Sequence, residues 1–212
     1  MNVKSLFLAI ALSIGATLGI EAQITATEAF TSAPRKVMPM LDQTTRLDMV
    51  DYFNNGMSTS STNLLNGRSR ITALSDNQLT VELSDASTCD MIVLQGERNQ
   101  LIAVITTVAT PAPDSRMSVY SSDWKRDITA SVFTKPTLTD WLTPEGKKNR
   151  AEVESLVPFL LISYTYNPET ATLTLTNNVK EFLGNELYDT IATYIRPSLT
   201  YQFNGKRFNL VK

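Results

Sequence analysis

The chain has 212 residues, of which 42% are hydrophobic and 19% charged, and its 19 basic and 21 acidic side chains give a formal net charge of −2. This composition is that of a globular protein, and the scattered basic residues provide no electrostatic footprint for a nucleic acid. The absence of histidine excludes Ser-His-Asp triads, Cys-His dyads and histidine-ligated zinc. We assign no cofactor, metal or catalytic residue, and any acid–base chemistry would depend on carboxylates, lysine or tyrosine.

The first 22 residues have the layout of a secretory signal peptide. Lys4 supplies a positive charge, residues 6–20 are apolar, and Ala22 places a small residue at the expected cleavage site. The apolar run is shorter than the ~20 residues of a membrane-spanning helix, and no later segment is comparable. We expect a periplasmic or secreted protein, cleaved near Ala22, with no transmembrane segment in residues 23–212.

Two helices are predicted next. Residues 26–33 form a short helix or an ordered arm, and a firmer helix covers residues 45–53, with Thr45 and Asp48 as a weak capping box. Three apolar residues of the second helix repeat at helical spacing: Leu47, Val50 and Phe53. Asp48 and Asp51 lie on its opposite face, where a solvated position is more common than a catalytic one.

A polar loop at residues 57–69 follows, and we expect Leu64 and Leu65 to anchor it. Apolar residues then alternate with polar ones, which predicts strands and hairpins. The two hairpins cover residues 70–84 and 89–109. Residues 101–108 are apolar on both faces, which indicates a strand covered on each side, and residues 116–120 resume the extended pattern.

The remaining chain alternates between helical and strand patterns. We predict a helical turn at 137–143, a charged loop at 144–154, a hairpin within 159–176 and an amphipathic helix at 185–195. The predicted apolar stripe of that helix is Leu183, Leu187, Ile191 and Ile195. An Asn204–Gly205 turn closes the final hairpin. If this turn has two residues, the register of the hairpin places two sets of side chains on one face: Leu199, Tyr201 and Phe203, and Lys206, Phe208 and Leu210. We expect them to form a cross-strand apolar cluster.

These elements predict an α+β fold: a mostly antiparallel sheet built from hairpins, with eight to ten strands and two to four packing helices. We expect one domain at residues 23–212. An alternative division has two similar halves near residues 23–130 and 131–212, because each half runs from a helix into hairpins.

The single cysteine, Cys89, excludes an intramolecular disulfide and is expected to be a buried core residue. A candidate binding surface combines one acid with four aromatic residues: Asp123, Trp124, Trp141, Tyr164 and Tyr166. Such rings could form a platform for a sugar or a peptide. The alternative is core or cross-strand packing, which is the more common role of aromatic residues in hairpins.

Three segments are distinctive in their order: Arg46–Tyr52, which contains Leu-Asp-Met; Asp114–Tyr120, followed by Asp123-Trp124; and the closing Leu199–Lys206. In these segments the chain resembles a family of exported Bacteroidales proteins, domain-of-unknown-function family 3256, over nearly all of residues 23–212. The resemblance implies an exported protein of Gram-negative anaerobes. It implies no activity, cofactor or catalytic residue.

Three functions remain open. The first is a non-enzymatic binding module in the periplasm or at the cell surface, whose partner is an envelope protein or a glycan. The second is a hydrolase or transferase that uses paired carboxylates, with Asp48, Asp51, Asp123 and Glu82 as candidates. The third is a structural or inhibitory protein that adds a strand to a partner through an edge such as residues 116–120.

Overall fold

The computed structural model describes residues 23–109 and 111–211, so the predicted signal peptide at residues 1–22 lies outside the described residues. The α+β prediction is confirmed: this part of the chain contains two antiparallel sheets, of six and four strands. Its ten strands agree with the prediction, whereas its eight helices exceed the predicted two to four.

Six strands form the first sheet in chain order: β1 (Ser61–Thr62), β2 (Arg68–Leu74), β3 (Gln78–Ser84), β4 (Ser87–Leu94), β5 (Leu101–Val108) and β6 (Asp114–Ser121). Each strand pairs antiparallel with its neighbours in the sequence, which confirms the predicted hairpins. Cys89 lies on β4 and is 2% exposed, as expected for a core residue.

Helices α1 (Ala26–Ser32) and α2 (Gln43–Asn54) cover one face of this sheet. Thr25 and Glu28 form a capping box at the start of α1, so the short helix is confirmed. The predicted cap of α2 is wrong. The carboxylate of Asp42 accepts a hydrogen bond from the backbone N–H of Thr45, and the helix therefore begins before Thr45.

The buried face of α2 also differs from the prediction. Arg46 and Met49 are buried, whereas Leu47, from the predicted apolar stripe, is 52% exposed. Val50 and Phe53 are only partly buried against the core. The spacing of apolar residues specified a helix, but the positions of α1 and β2 decide which of its faces is covered.

The second sheet has four strands in the order β10-β9-β8-β7: β7 (Ile162–Asn167), β8 (Thr172–Asn177), β9 (Ser198–Phe203) and β10 (Phe208–Leu210). Its predicted hairpins are confirmed, but the register of the last one is wrong. Phe208 lies opposite Phe203, so the loop contains four residues instead of two. The side chain of Asn204 stabilises this wider loop by accepting the backbone N–H groups of Lys206 and Arg207.

Six further helices lie between or beside these strands: α3 (Thr129–Val132), α4 (Leu138–Trp141), α5 (Pro144–Lys148), α6 (Arg150–Leu156), α7 (Val179–Leu183) and α8 (Asn185–Ile191). The predicted charged loop at 144–154 is wrong, because it contains α5 and most of α6. Thr143 caps α5 and Pro144 occupies its first turn, which are both helix-start signals. The predicted stripe of the 185–195 helix is partly wrong, since Leu187 is 49% exposed.

The two sheets share a core around β5. Ile102 and Val104 face α1 and α2, whereas Ala103 and Ile105 face the second sheet, so the predicted cover on both sides is confirmed. Burial of each large apolar side chain contributes about 1.5–3 kcal/mol. The sheets approach each other at β6 and β7, where the backbone N–H of Tyr164 donates to the hydroxyl of Ser115 at 3.0 Å.

Candidate functional site

An open cleft of about 630 Å³ lies between α2 and the outer edge of β2. We call it the α2–β2 cleft. It is lined by Met49, Tyr52, Phe53, residues 56–59, residues 70–72 and Glu82. An apolar wall from the helix faces hydroxyl and charged groups from the loop and the strands. Ligand sites in proteins typically combine these two properties.

The cleft exists because β1 is very short. It pairs with β2 only at Ser61–Ser69 and Thr62–Arg68. Among the described residues, no strand pairs with the outer edge of β2 beyond these positions, which leaves residues 70–74 open. Residues 56–59 precede β1 and line the opposite side of the cleft. The gap between them and β2 exposes the edge of the sheet.

Asn63 holds β1 and the following turn in place, and it is only 4% exposed. Its Nδ2 donates to the Ser69 hydroxyl and to the Leu83 carbonyl, each at 3.0 Å. Its Oδ1 accepts the backbone N–H groups of Leu65 and Gly67, each at 3.0 Å. The predicted anchoring of this loop by its leucines is wrong: Leu64 is 48% exposed and Leu65 is 72% exposed.

An ion pair between Arg70 and Glu82 lies at the strand side of the cleft. The two residues are opposite each other on β2 and β3, and Arg70 Nε is 2.6 Å from Glu82 Oε2. The hydrogen bond to Glu82 raises the pKa of Arg70. Both side chains are about half exposed, so solvent screens the pair and its contribution to stability is small. Both groups remain accessible to a ligand.

The four aromatic residues of the predicted binding surface are buried and lie in two different parts of the core. Trp141, Tyr164 and Tyr166 belong to the cluster between the sheets. Burial raises the pKa of Tyr164 to about 12. Trp124 packs on the other side of the first sheet, against Tyr120, with ring centroids 5.2 Å apart. The structure therefore brings these rings to no common surface, and it supports the packing interpretation.

Asp123 and Trp124 occupy the turn after β6. The Trp124 backbone has a φ of 62°, and its indole N–H donates to the Ser32 hydroxyl at 3.2 Å. Asp123 is exposed, and it accepts hydrogen bonds from the Ser121 hydroxyl at 2.6 Å and from the Lys125 backbone at 3.1 Å. These bonds, with the Lys125 ammonium, lower the pKa of Asp123 to about 2. Its carboxylate stabilises the turn.

The candidate catalytic carboxylates do not form one cluster. Asp48 and Asp51 are exposed on α2, Asp123 lies in the turn after β6, and Glu82 is bonded to Arg70 at the cleft. Within residues 23–109 and 111–211, no group of three or more Cys, Asp or Glu side chains could hold a metal ion. Cys89 is an unsuitable nucleophile, because burial raises the pKa of its thiol to about 12.

The edge proposed for strand addition, residues 116–120, is partly closed. The N–H of Val119 donates to the Thr129 hydroxyl at 2.8 Å, and its carbonyl accepts the N–H of Ile128 at 2.8 Å. The backbone N–H of Ser121 likewise donates to the carbonyl of Arg126. The open edge is instead on β2, at the opposite side of the same sheet.

Comparison with known proteins identifies the family. Residues 17–208 match the family described as "Protein of unknown function (DUF3256)". The chain belongs to DUF3256. A solved structure, of a domain of an uncharacterized protein from Porphyromonas gingivalis W83, aligns with a TM-score of 0.76 at 22% identity. The alignment covers 87% of this chain and 96% of that chain, which shows a shared fold.

The resemblance to a DUF family with Bacteroidales members is thus confirmed. No curated protein matches this DUF3256 chain. None of the helices in its described part is long and apolar enough to cross a membrane.

Sequence reasoning missed both Asn63 and the open edge of β2. One usable signal was the Asn66–Gly67 dipeptide, which is typical of a tight turn. Asn66 indeed has a φ of 61°, and the chain reverses there between β1 and β2. The buried role of Asn63 had no local signal, because its partners Ser69 and Leu83 come from later strands.

Proposed function

We propose that this protein is exported by the signal peptide at residues 1–22 and acts in the cell envelope as a non-enzymatic binding module for a protein partner. In this proposal, the α2–β2 cleft receives an extended peptide segment of the partner. The observation that carries it is the open edge of β2 beside an apolar wall.

The edge supplies the main-chain part of the recognition. Backbone N–H and C=O groups that have no strand partner are a template for an added strand. A segment lying along residues 70–74 would continue the line of β1 beyond its first residue, Ser61, which pairs with Ser69. Main-chain hydrogen bonds would then provide affinity, as in other cases of strand addition.

The helix supplies the side-chain part. Successive side chains of an extended segment point to opposite faces. On one face they would meet Met49 and Phe53, and on the other they would meet the Arg70–Glu82 pair. This arrangement favours a segment in which apolar residues alternate with polar or charged ones.

The positions of the carboxylates support a binding role over acid–base catalysis. Glycosidases of known type place two carboxyl groups about 5–10 Å apart across a substrate. Here Glu82 is paired with Arg70, and the exposed acids of α2 lie outside the set of residues that lines the cleft.

A glycan is the second candidate ligand. The Tyr52 ring, the Ser58, Thr59 and Thr72 hydroxyls and the charged pair all line the same cleft. Aromatic rings and hydrogen-bonding side chains are both suited to sugars. A purified envelope glycan is therefore a second ligand to test.

The proposal is tested by a photo-crosslinking amino acid placed at Thr72 in native cells, with Asn209 on β10 as the matched exposed control. We expect Thr72 alone to cross-link one partner protein through a defined segment. A synthetic peptide of that segment should bind the purified protein, and Phe53→Ala should weaken the binding.

Identical cross-links from Thr72 and Asn209 would contradict the protein-partner proposal. Saturable binding of a purified envelope glycan, lost in Phe53→Ala, would replace the peptide with a glycan. Export is tested separately by sequencing the amino terminus of the protein from native cells. We expect it to begin near Gln23, and retention of residues 1–22 would contradict the export proposal.

A further inference from the structure

A second cavity, of about 470 Å³, lies at the amino-terminal end of α2. We call it the α2-start cavity. Two arginines, Arg35 and Arg46, line it together with the helix cap Asp42. Leu41 and Leu64 provide an apolar part of its wall, and Leu64 is otherwise unusually exposed for a leucine.

Arg46 is the unusual feature of this cavity. Its side chain is only 4% exposed, yet no carboxylate among the described residues forms an ion pair with it. Nη1 donates to the carbonyl of Phe30, and Nε donates to the carbonyl of Asp42 at 3.3 Å. The guanidinium carbon also lies 5.9 Å from the centre of the Phe30 ring.

One edge of the guanidinium remains free. In the part of the chain that the structure describes, Nη2 of Arg46 donates to no acceptor. Nη2 also keeps contact with solvent, because the fully buried side-chain N or O atom without a partner in residues 23–109 and 111–211 is Trp141 Nε1, in the core between the sheets. Arg46 is also one of the residues that line the α2-start cavity.

Arg46 is buried without a directly bonded counter-ion, although the charge of Asp42 lies nearby. Removing a charged group from water carries a desolvation penalty, and two carbonyl acceptors offset only part of it. The same burial lowers the pKa of Arg46, and the charge of Asp42 opposes part of this shift. The first turn of α2 adds positive potential at this position. An anion in the cavity would add a counter-charge that accepts hydrogen bonds directly from the guanidinium.

We propose that the α2-start cavity binds a carboxylate group, which accepts hydrogen bonds from the free edge of Arg46 and pairs with Arg35. Arginine presents its N–H groups as a planar fork that matches a carboxylate. The two arginines and Asp42 sum to a single positive charge, which a monoanion balances and a phosphate dianion does not. Leu41 and Leu64 suit a small apolar group next to the carboxylate.

The shared chemistry is the carboxylate, which occurs at the carboxyl terminus of a peptide, where a side chain can supply the apolar group, and in acidic sugars. This site is separate from the α2–β2 cleft, and it does not depend on the function proposed for that cleft. A failure of one proposal is therefore distinguishable from a failure of the other.

The test is a calorimetric titration of the purified protein at low salt. The probes are N-acetyl-Ala-Ala with a free carboxyl terminus, the same dipeptide as its carboxamide, glucuronate and inorganic phosphate. We expect saturable binding of at least one carboxylate and none of the carboxamide. The dipeptide and glucuronate arms distinguish a peptide source from a sugar source. Binding should weaken as salt is added, because the contacts are ionic.

Two variants connect the binding to the cavity. Arg35→Gln should weaken carboxylate binding by about fivefold to tenfold, the range expected for a hydrogen-bonded charge at a partly open site. The matched control is Lys36→Gln, which removes the same charge from the next residue, outside the cavity. The control should change the affinity less than about twofold.

A third variant tests the guanidinium itself. Arg46→Lys keeps the charge and removes the planar fork, so it should weaken binding by about tenfold or more. Circular dichroism checks its folding, and if it does not fold, the exposed Arg35 and Lys36 pair decides the result. Equal binding of acid and carboxamide, tighter binding of phosphate than of any carboxylate, equal effects at Arg35 and Lys36, or no saturation by about 10 mM carboxylate would overturn the proposal.

Discussion

Replacement of Asn63 by alanine tests how the wall of the α2–β2 cleft is held. The substitution removes four hydrogen bonds, each 3.0 Å long. Each such bond contributes about 0.5–1.5 kcal/mol, and an orphaned buried group costs about 1–3 kcal/mol. Water can reach the N–H of the exposed Leu65, and the Leu83 carbonyl keeps the Ser69 hydroxyl at 2.8 Å. We therefore expect a loss of about 2–4 kcal/mol, less than the full sum.

The loss is measured by denaturant unfolding followed by tryptophan fluorescence, and by calorimetry. For a chain of this length it corresponds to a fall in Tm of about 5–15 °C. Asn54→Ala is the matched control, because Asn54 is exposed at the end of α2, and it should change stability by less than about 0.5 kcal/mol. A loss below about 1 kcal/mol for Asn63→Ala would refute the assigned role.

Three further predictions concern packing and titration. Gly146→Ala should destabilise the protein by more than about 2 kcal/mol in thermal unfolding, because a Cβ there would overlap the Tyr194 carbonyl. Cys89 should react with a thiol reagent only on unfolding, since its pKa is about 12, and fast native labelling would contradict its burial. Asp123→Asn should lower the Tm at pH 7. Because the folded pKa of Asp123 is depressed to about 2, from 3.8, the difference from the natural protein should shrink as the pH falls from about 4 to 2.

The α2–β2 cleft and the α2-start cavity lie at different parts of the same helix. Met49 and Phe53 line the first, and Arg46 lines the second. The segment Arg46–Tyr52, on which the family resemblance partly depends, therefore contributes to both. Its exposed acids, Asp48 and Asp51, line neither.

Patterns within short segments were enough to predict most strands and their hairpins. Strict alternation placed Leu79, Val81 and Leu83 on one buried face. The apolar run at Leu101–Val108 correctly indicated a strand covered on both sides. These inferences succeed because a strand exposes its two faces with a period of two, whatever lies around it.

Where several conformations satisfied the local pattern, tertiary structure decided. The final hairpin keeps Phe203 and Phe208 together with a four-residue loop, although Asn204–Gly205 also permits a two-residue turn. The charged residues of α5 and α6 suggested a loop, but Thr143, the following Pro144 and the packing of Val153 specify helices.

The sequence by itself determined the α+β class, most strands and their hairpin order, the family and the exclusion of histidine chemistry. Only the tertiary structure decided which face of α2 is buried, where the aromatic rings lie and which strand edge is open. The physical reason is that Arg46, Asn63 and the edge of β2 acquire their roles from groups distant in the chain. Their carbonyl partners, neighbouring strands and covering helices have no signature in the local sequence.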